Sequence, residues 1–122
     1  MATILYIEDD PVQSDILKQM LELQGYSVEI AEDGVSGVEK AAIINADLII
    51  SDSNMPRLNG LKAIQKIREA HTTADTPIFA LSARSDARYQ DQALQAGATA
   101  VFSKPINFFE LLTAIQETLV KI

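Results

Sequence analysis

With 122 residues, 48% of them hydrophobic, the chain suits one compact domain that buries its own core, and it is too short for two ordinary ones. It has no cysteine, which excludes disulfides, thiolate chemistry and cysteine-ligated metal, and no apolar run approaches the length of a membrane span. The net charge of −7, without a basic stripe, repels phosphate backbones; it argues against a direct nucleic-acid partner and suits a divalent cation or a basic partner surface.

Met1-Ala2-Thr3 lacks the basic and apolar regions of a signal peptide, so a soluble cytoplasmic protein with no membrane partner is expected. Thr3-Ile4-Leu5-Tyr6-Ile7 reads as a buried first strand. It ends on Glu8-Asp9-Asp10 and then Pro11, which suits the first position of a helix. Val12, Ile16, Met20 and Leu23, with Leu17 and Leu21 beside them, give that helix its period, and Gly25 stops it. Ser27 to Ala31 is a second strand. After the turn Glu32-Asp33-Gly34, an Ala-rich helix runs from Val35 to Ile44 and breaks at Asn45.

Asp47 to Ser51 forms the third strand, which delivers Asp52 to a loop through Pro56 toward Gly60. Leu61, Ile64 and Ile67 mark a third helix, ended by the polar stretch Thr72 to Thr76. Ile78 to Leu81 is a fourth strand stopping at Ser82, and Asp86 can cap a helix running to Ala96, where Gly97 ends it. Ala100-Val101-Phe102 is a short fifth strand, followed by Ser103-Lys104-Pro105. Asn107 caps a last helix whose Phe108, Leu111, Leu112, Ile115 and Leu119 share a face. Strand and helix alternate five times with short connections, which predicts an α/β fold: a doubly wound, flavodoxin-like parallel sheet with five helices on two faces.

If the strand order is 2-1-3-4-5, the switch point lies between the first and third strands, and Glu8 and Asp9 come beside Asp52. Carboxylates this close are relieved by protonation or by a hard cation. Mg²⁺ takes oxygen ligands and keeps several waters, and Asp9, Asp52 and the backbone carbonyl of Asn54 make a plausible ligand set, with Glu8 acting through water or from behind. The next two strand ends bring Ser82 and Lys104 to the same rim. A hydroxyl and an ammonium facing a metal-bound carboxylate suit a phosphoryl group, with Asp52 as the nucleophile that becomes an acyl phosphate. Singly, each residue has an ordinary structural reading: a charged helix start, an Asx turn, a turn serine, a surface lysine. Their arrival together at successive strand ends favours the chemical one.

These residues resemble the receiver domain of two-component response regulators, including its single-domain chemotaxis type, and the likeness runs from Ile4 to the final helix. It is carried by Ile4-Leu5-Tyr6-Ile7-Glu8-Asp9-Asp10, by Asp47-Leu48-Ile49-Ile50-Ser51-Asp52 with Met55-Pro56 and Gly60-Leu61, by Ser82-Ala83 and by Lys104-Pro105. The resemblance implies that Asp52 accepts a phosphoryl group from a phosphohistidine on a sensor histidine kinase or phosphotransfer protein. It implies that Glu8 and Asp9 form the metal pair, that Ser82 and Lys104 read the phosphorylated state, and that the Lys104–Pro105 bond is cis. Asn54 and Arg84 stand where family members tune the acyl-phosphate lifetime.

One departure stands out: the family's aromatic residue three before the lysine is here Val101, and the neighbouring Phe102 should face the other side of the strand. The expected output is a downstream protein bound through the fourth helix, fifth strand and fifth helix, with Tyr89, Leu94 and Phe109 as candidate contacts. The chain is expected to be a monomer or weak dimer and one receiver domain over residues 1–122, without an output domain. Two rivals are a receiver-like module that binds partners without phosphorylation, and an aspartyl phosphohydrolase. The second lacks a general acid, because the residue two past Asp52 is the amide Asn54. His71, the sole histidine, reads as a solvated loop residue.

Overall fold

The computed structural model describes residues 1–53, 59–83 and 87–120. In chain order it contains β1 (Thr3–Ile7), α1 (Pro11–Leu23), β2 (Ser27–Ala31), α2 (Gly34–Ile43), β3 (Leu48–Asp52), α3 (Gly60–Glu69), β4 (Ile78–Ser82), α4 (Ala87–Ala96), β5 (Ala100–Ser103) and α5 (Phe108–Leu119), with a single 3-10 turn at His71–Thr73. The strands form one sheet in the order β2-β1-β3-β4-β5, and each pairs in parallel with its neighbours. This is the flavodoxin-like arrangement that the alternation predicts. Among the described residues no helix is long and apolar enough to cross a membrane.

Alternation along each strand divides the core in two. Leu5 and Ile7, Ile49, and Ile78 and Ala80 pack with Ile64, Ile67, Tyr89 and Ala93 beneath α2, α3 and α4. Ile4 and Tyr6, Leu48 and Ile50, and Phe79 and Leu81 pack with Leu17, Leu21, Leu111 and Ile115 beneath α1 and α5. Side chains one residue apart therefore belong to opposite layers. Val101 packs with the first cluster and Phe102 with the second, where its ring lies 5.1 Å from that of Phe79; the one-residue offset is real. β1, β3 and β4 are buried almost throughout, whereas β5 is only half-buried.

Caps set most helix starts. Asp10 accepts from the amides of Val12 and Gln13, Asp33 from Ser36, Asn59 from Lys62 and Asn107 from Glu110, each worth about 1 kcal/mol. The Asp86 cap expected for α4 lies outside the described residues. Gly25, at φ 96° after α1, and Gly97, at φ 122° after α4, occupy the left-handed region that favours glycine.

Two expectations change. On α1 the buried residues are Ser14, Leu17 and Leu21, while Val12, Ile16 and Leu23 are exposed: the helix carries two apolar stripes and only one meets the sheet. Tyr89 is buried in the core under α4 rather than displayed as a partner contact; Leu94 and Phe109 are exposed as expected, Phe109 at 78%.

Candidate functional site

β1 and β3 are neighbours in register, with Ile7 opposite Ser51, so Glu8 and Asp52 leave the sheet side by side. The end of β3 is fixed from behind by α3. Gly60 donates its N–H to the Ser53 carbonyl at 3.0 Å, and a Cβ on Gly60 would lie 2.4 Å from Ser53 Cα and 2.5 Å from the Asp52 carbonyl oxygen. No real Cβ approaches backbone that closely, so the residue that opens α3 must be glycine for Asp52 to stand where it does.

Glu8, Asp9 and Asp52 each offer a carboxylate oxygen, and these oxygens all lie within 4.8 Å of one another. Glu8 and Asp52 are buried and Asp9 is exposed. Lys104 enters this group from the loop after β5: its Nζ is 3.1 Å from Glu8 Oε1 and 3.1 Å from Asp52 Oδ1. The ammonium also donates to Gln13 Oε1 at 3.0 Å, and Ser53 donates its N–H to Asp52 Oδ1 at 2.9 Å. Three acids and one amine leave an excess of negative charge. Hard oxygen donors in this number and spacing suit a divalent cation such as Mg²⁺.

The electrostatics follow from this crowding. Asp9 is raised above the ordinary aspartate value, first by partial withdrawal from water and then by its hydrogen bond to Glu8, with Glu8's charge adding to the effect. Burial works against the charge on Lys104, but Asp52 and Glu8 outweigh it and hold the ammonium above the usual lysine value. Tyr6 is held far above the usual phenol range by burial and then by the charge of Glu8, so its hydroxyl is a donor.

Ser82 is buried at the end of β4, the strand beside β3; Ser53 donates its N–H to the Leu81 carbonyl at 2.9 Å and Lys104 donates its N–H to the Ser82 carbonyl at 2.8 Å. The rim thus holds Glu8, Asp9, Asp52, Ser82 and Lys104 on four adjacent strands' ends. The Lys104–Pro105 bond is cis. Asn54, the other expected ligand, and Arg84 lie outside the described residues. Asp10 serves as the α1 cap and does not join the acid group.

Two participants escaped the sequence reading. Gln13 reaches Lys104 from the first turn of α1, and nothing in its sequence position announced this. Tyr6 donates to Glu8 Oε1 at 3.1 Å, and here a signal existed: a lone hydroxyl inside an aliphatic strand must find a partner, and the acid two residues on shares its side.

Comparison with known proteins agrees with this geometry. The family model described as "Response regulator receiver domain" matches residues 4–116. The chain is 38% identical over 116 residues to the response regulator MprA of Mycobacterium leprae, covering 95% of this chain and 50% of that protein. Its structure resembles chemotaxis protein CheY4 of Vibrio cholerae at a TM-score of 0.92 and 32% identity, covering 98% of this chain and 99% of the other. It also resembles the receiver domain of the sensor histidine kinase PA1611 from Pseudomonas aeruginosa at a TM-score of 0.91 and 32% identity, each chain covered to 98%; that structure carries a magnesium ion coordinated in its active-site cleft. The chain spans about half the length of the curated regulators it matches.

Proposed function

Because the chain belongs to the response regulator receiver family, a family of signalling domains, we propose that it is a phosphorylation-dependent switch whose phosphoacceptor is Asp52. The observation that carries this reading is the single ammonium of Lys104 placed 3.1 Å from both Asp52 and Glu8, within a group of acids that a cation can bind. A carboxylate oxygen of Asp52 forms a bond to the phosphorus of a phosphohistidine as the P–N bond breaks, and the imidazole nitrogen leaves with the electron pair. Glu8, Asp9 and Asp52, with the Asn54 carbonyl, would hold Mg²⁺, which when bound supplies positive charge beside the transferring oxygens. Lys104 neutralises charge on the phosphoryl oxygens and Ser82 donates a hydrogen bond to one of them.

The donor is a sensor histidine kinase or a histidine phosphotransfer protein, and the reader is a downstream protein. Lys104 and Ser82 share a backbone hydrogen bond, so a ligand that moves either one acts on the loop after Ser82 and on β5 together. The face they lead to displays Leu94 and Phe109 and a groove of about 610 Å³ between β5 and α5, lined by Val101, Phe102, Phe109 and Thr113 with Glu110 and Glu117. Phosphorylation changes partner affinity there only by as much as the phosphoryl group favours one loop position over another.

The test is mass measurement after incubation with acetyl phosphate and Mg²⁺. Wild type gains one phosphoryl group, and Asp52→Asn and metal-free wild type gain none. Unmodified wild type under conditions where Mg²⁺ binding is demonstrated would leave a module that works without phosphorylation.

A further inference from the structure

We propose that Tyr6 is a positioning residue for this site: its hydroxyl anchors the Glu8 carboxylate, so that the acid keeps its place when Lys104 is drawn from it toward a phosphoryl group. The inference rests on the phosphoacceptor reading of Asp52 given above.

Glu8 is 2% exposed and, besides its neighbour Asp9, has three donors in reach. Tyr6 Oη donates to Oε1 at 3.1 Å, Lys104 Nζ donates to the same oxygen at 3.1 Å, and the Asp10 N–H reaches Oε2 at 3.3 Å. These donors are not equivalent. Lys104 sits on a long flexible stem and is divided among Glu8, Asp52 and Gln13, so a dianion on Asp52 competes directly for it. The Asp10 amide is at the long end of hydrogen-bond distance.

The phenol is different in kind. Tyr6 is fully buried in the α1/α5 layer with Leu17, Leu21, Ile50 and Phe79, beside a cavity of about 180 Å³, and its ring-bound hydroxyl has far less reach than the Lys104 ammonium. Its cross-strand partners, Ile30 on β2 and Ile50 on β3, are aliphatic, and packing alone would have been served by another of the same kind. Without the hydroxyl, departure of Lys104 leaves the buried Glu8 carboxylate with Asp9, which as a metal-binding carboxylate has no proton to give, and with the long Asp10 contact. It then turns to find others and ceases to offer a fixed oxygen to the cation. Groups that hold a metal's ligands from behind typically matter by about tenfold or more in affinity.

A double-mutant cycle on the full chain tests this, with the Mg²⁺ dissociation constant read by calorimetry. Tyr6→Phe keeps the ring and removes only the hydroxyl; it weakens Mg²⁺ binding about tenfold and slows labelling by acetyl phosphate. In a Glu8→Asp background the carboxylate is drawn back by one methylene, out of reach of the phenol, and Tyr6→Phe then changes affinity by less than about twofold. Unchanged Mg²⁺ affinity in Tyr6→Phe, or an equal loss in both backgrounds, overturns the proposal. Should Tyr6→Phe unfold the protein, folding of the same change in the Glu8→Asp background supports the link, and unfolding in both overturns it. Wild type that binds Mg²⁺ yet gains no phosphoryl group defeats the phosphoacceptor reading instead, and the Mg²⁺ cycle still judges Tyr6.

Discussion

At the scale of single residues, the acid group is a repulsion held in place by the backbone around it. The folded chain raises the pKa of Asp9, so in the acid range it binds more protons than the unfolded chain. The stability this contributes is present at low pH and is lost as pH climbs through the carboxylate range; at neutral pH the cost of a partly desolvated charge beside Glu8 is felt in full. Asp9→Asn should therefore raise the thermal midpoint of the metal-free protein. The gain stays within about 1 kcal/mol, because Asp9 is exposed and water screens it. Mg²⁺ should raise the midpoint of wild type by mass action and should raise that of the variant little at the same concentration. Calorimetric scans with and without Mg²⁺ at pH 5 and pH 7 check both; a midpoint that drops on substitution would mean that Asp9 is a stabilising group.

At the scale of elements, the sequence made the helices and strands legible because their periods are strong and their punctuation is conventional: Pro11 and Gly25 bracket α1, and Asn107 opens α5. The faces were less legible. Val12, Ile16, Met20 and Leu23 follow helical spacing as well as Leu17 and Leu21 do, and no pattern within α1 tells which stripe meets the sheet. Tyr89 is hard to place for a related reason: an amphipathic side chain on a polar helix reads as surface, although Ala93 and Ala96, one and two turns along α4, share its buried stripe. The acids at the strand ends were legible because the strand order carries them to one rim, whereas Gln13 depended on a side-chain reach that no spacing reports.

Arg68, which the sequence reading passed over, ties three elements. From the last turn of α3 its guanidinium donates to the carbonyls of Thr73, Ala74 and Thr76 before β4 and to that of Gly97 after α4. A planar fork can serve these acceptors together, and an ammonium cannot. Arg68→Ala should lower unfolding free energy by about 2–3 kcal/mol, and Arg68→Lys should recover less than half of it. Urea titration measures the loss, and hydrogen exchange should quicken first in the α4–β5 turn. A lysine variant as stable as wild type would show that charge alone suffices.

At the scale of the whole molecule, the open sheet has two margins. At the β2 margin Lys18 from α1 donates to the Val28 carbonyl and Lys40 from α2 to the Ile30 carbonyl, so amines from both layers cover acceptors that would otherwise template another strand. Lys18→Met with Lys40→Met should promote self-association, visible as a concentration-dependent rise in sedimentation coefficient; a double variant that stays monomeric would assign that protection to the net charge of −7 instead.

The half-covered β5 has a different consequence. Strands wedged on both sides behave as an anvil, and the site's acids are mounted on β1 and β3, which have nowhere to go. Lys104 follows β5, a margin strand none of whose residues is fully buried. On the switch proposed above, a force generated at the rim would meet a buried centre at β1 and β3 on one side and a half-covered border at β5 on the other.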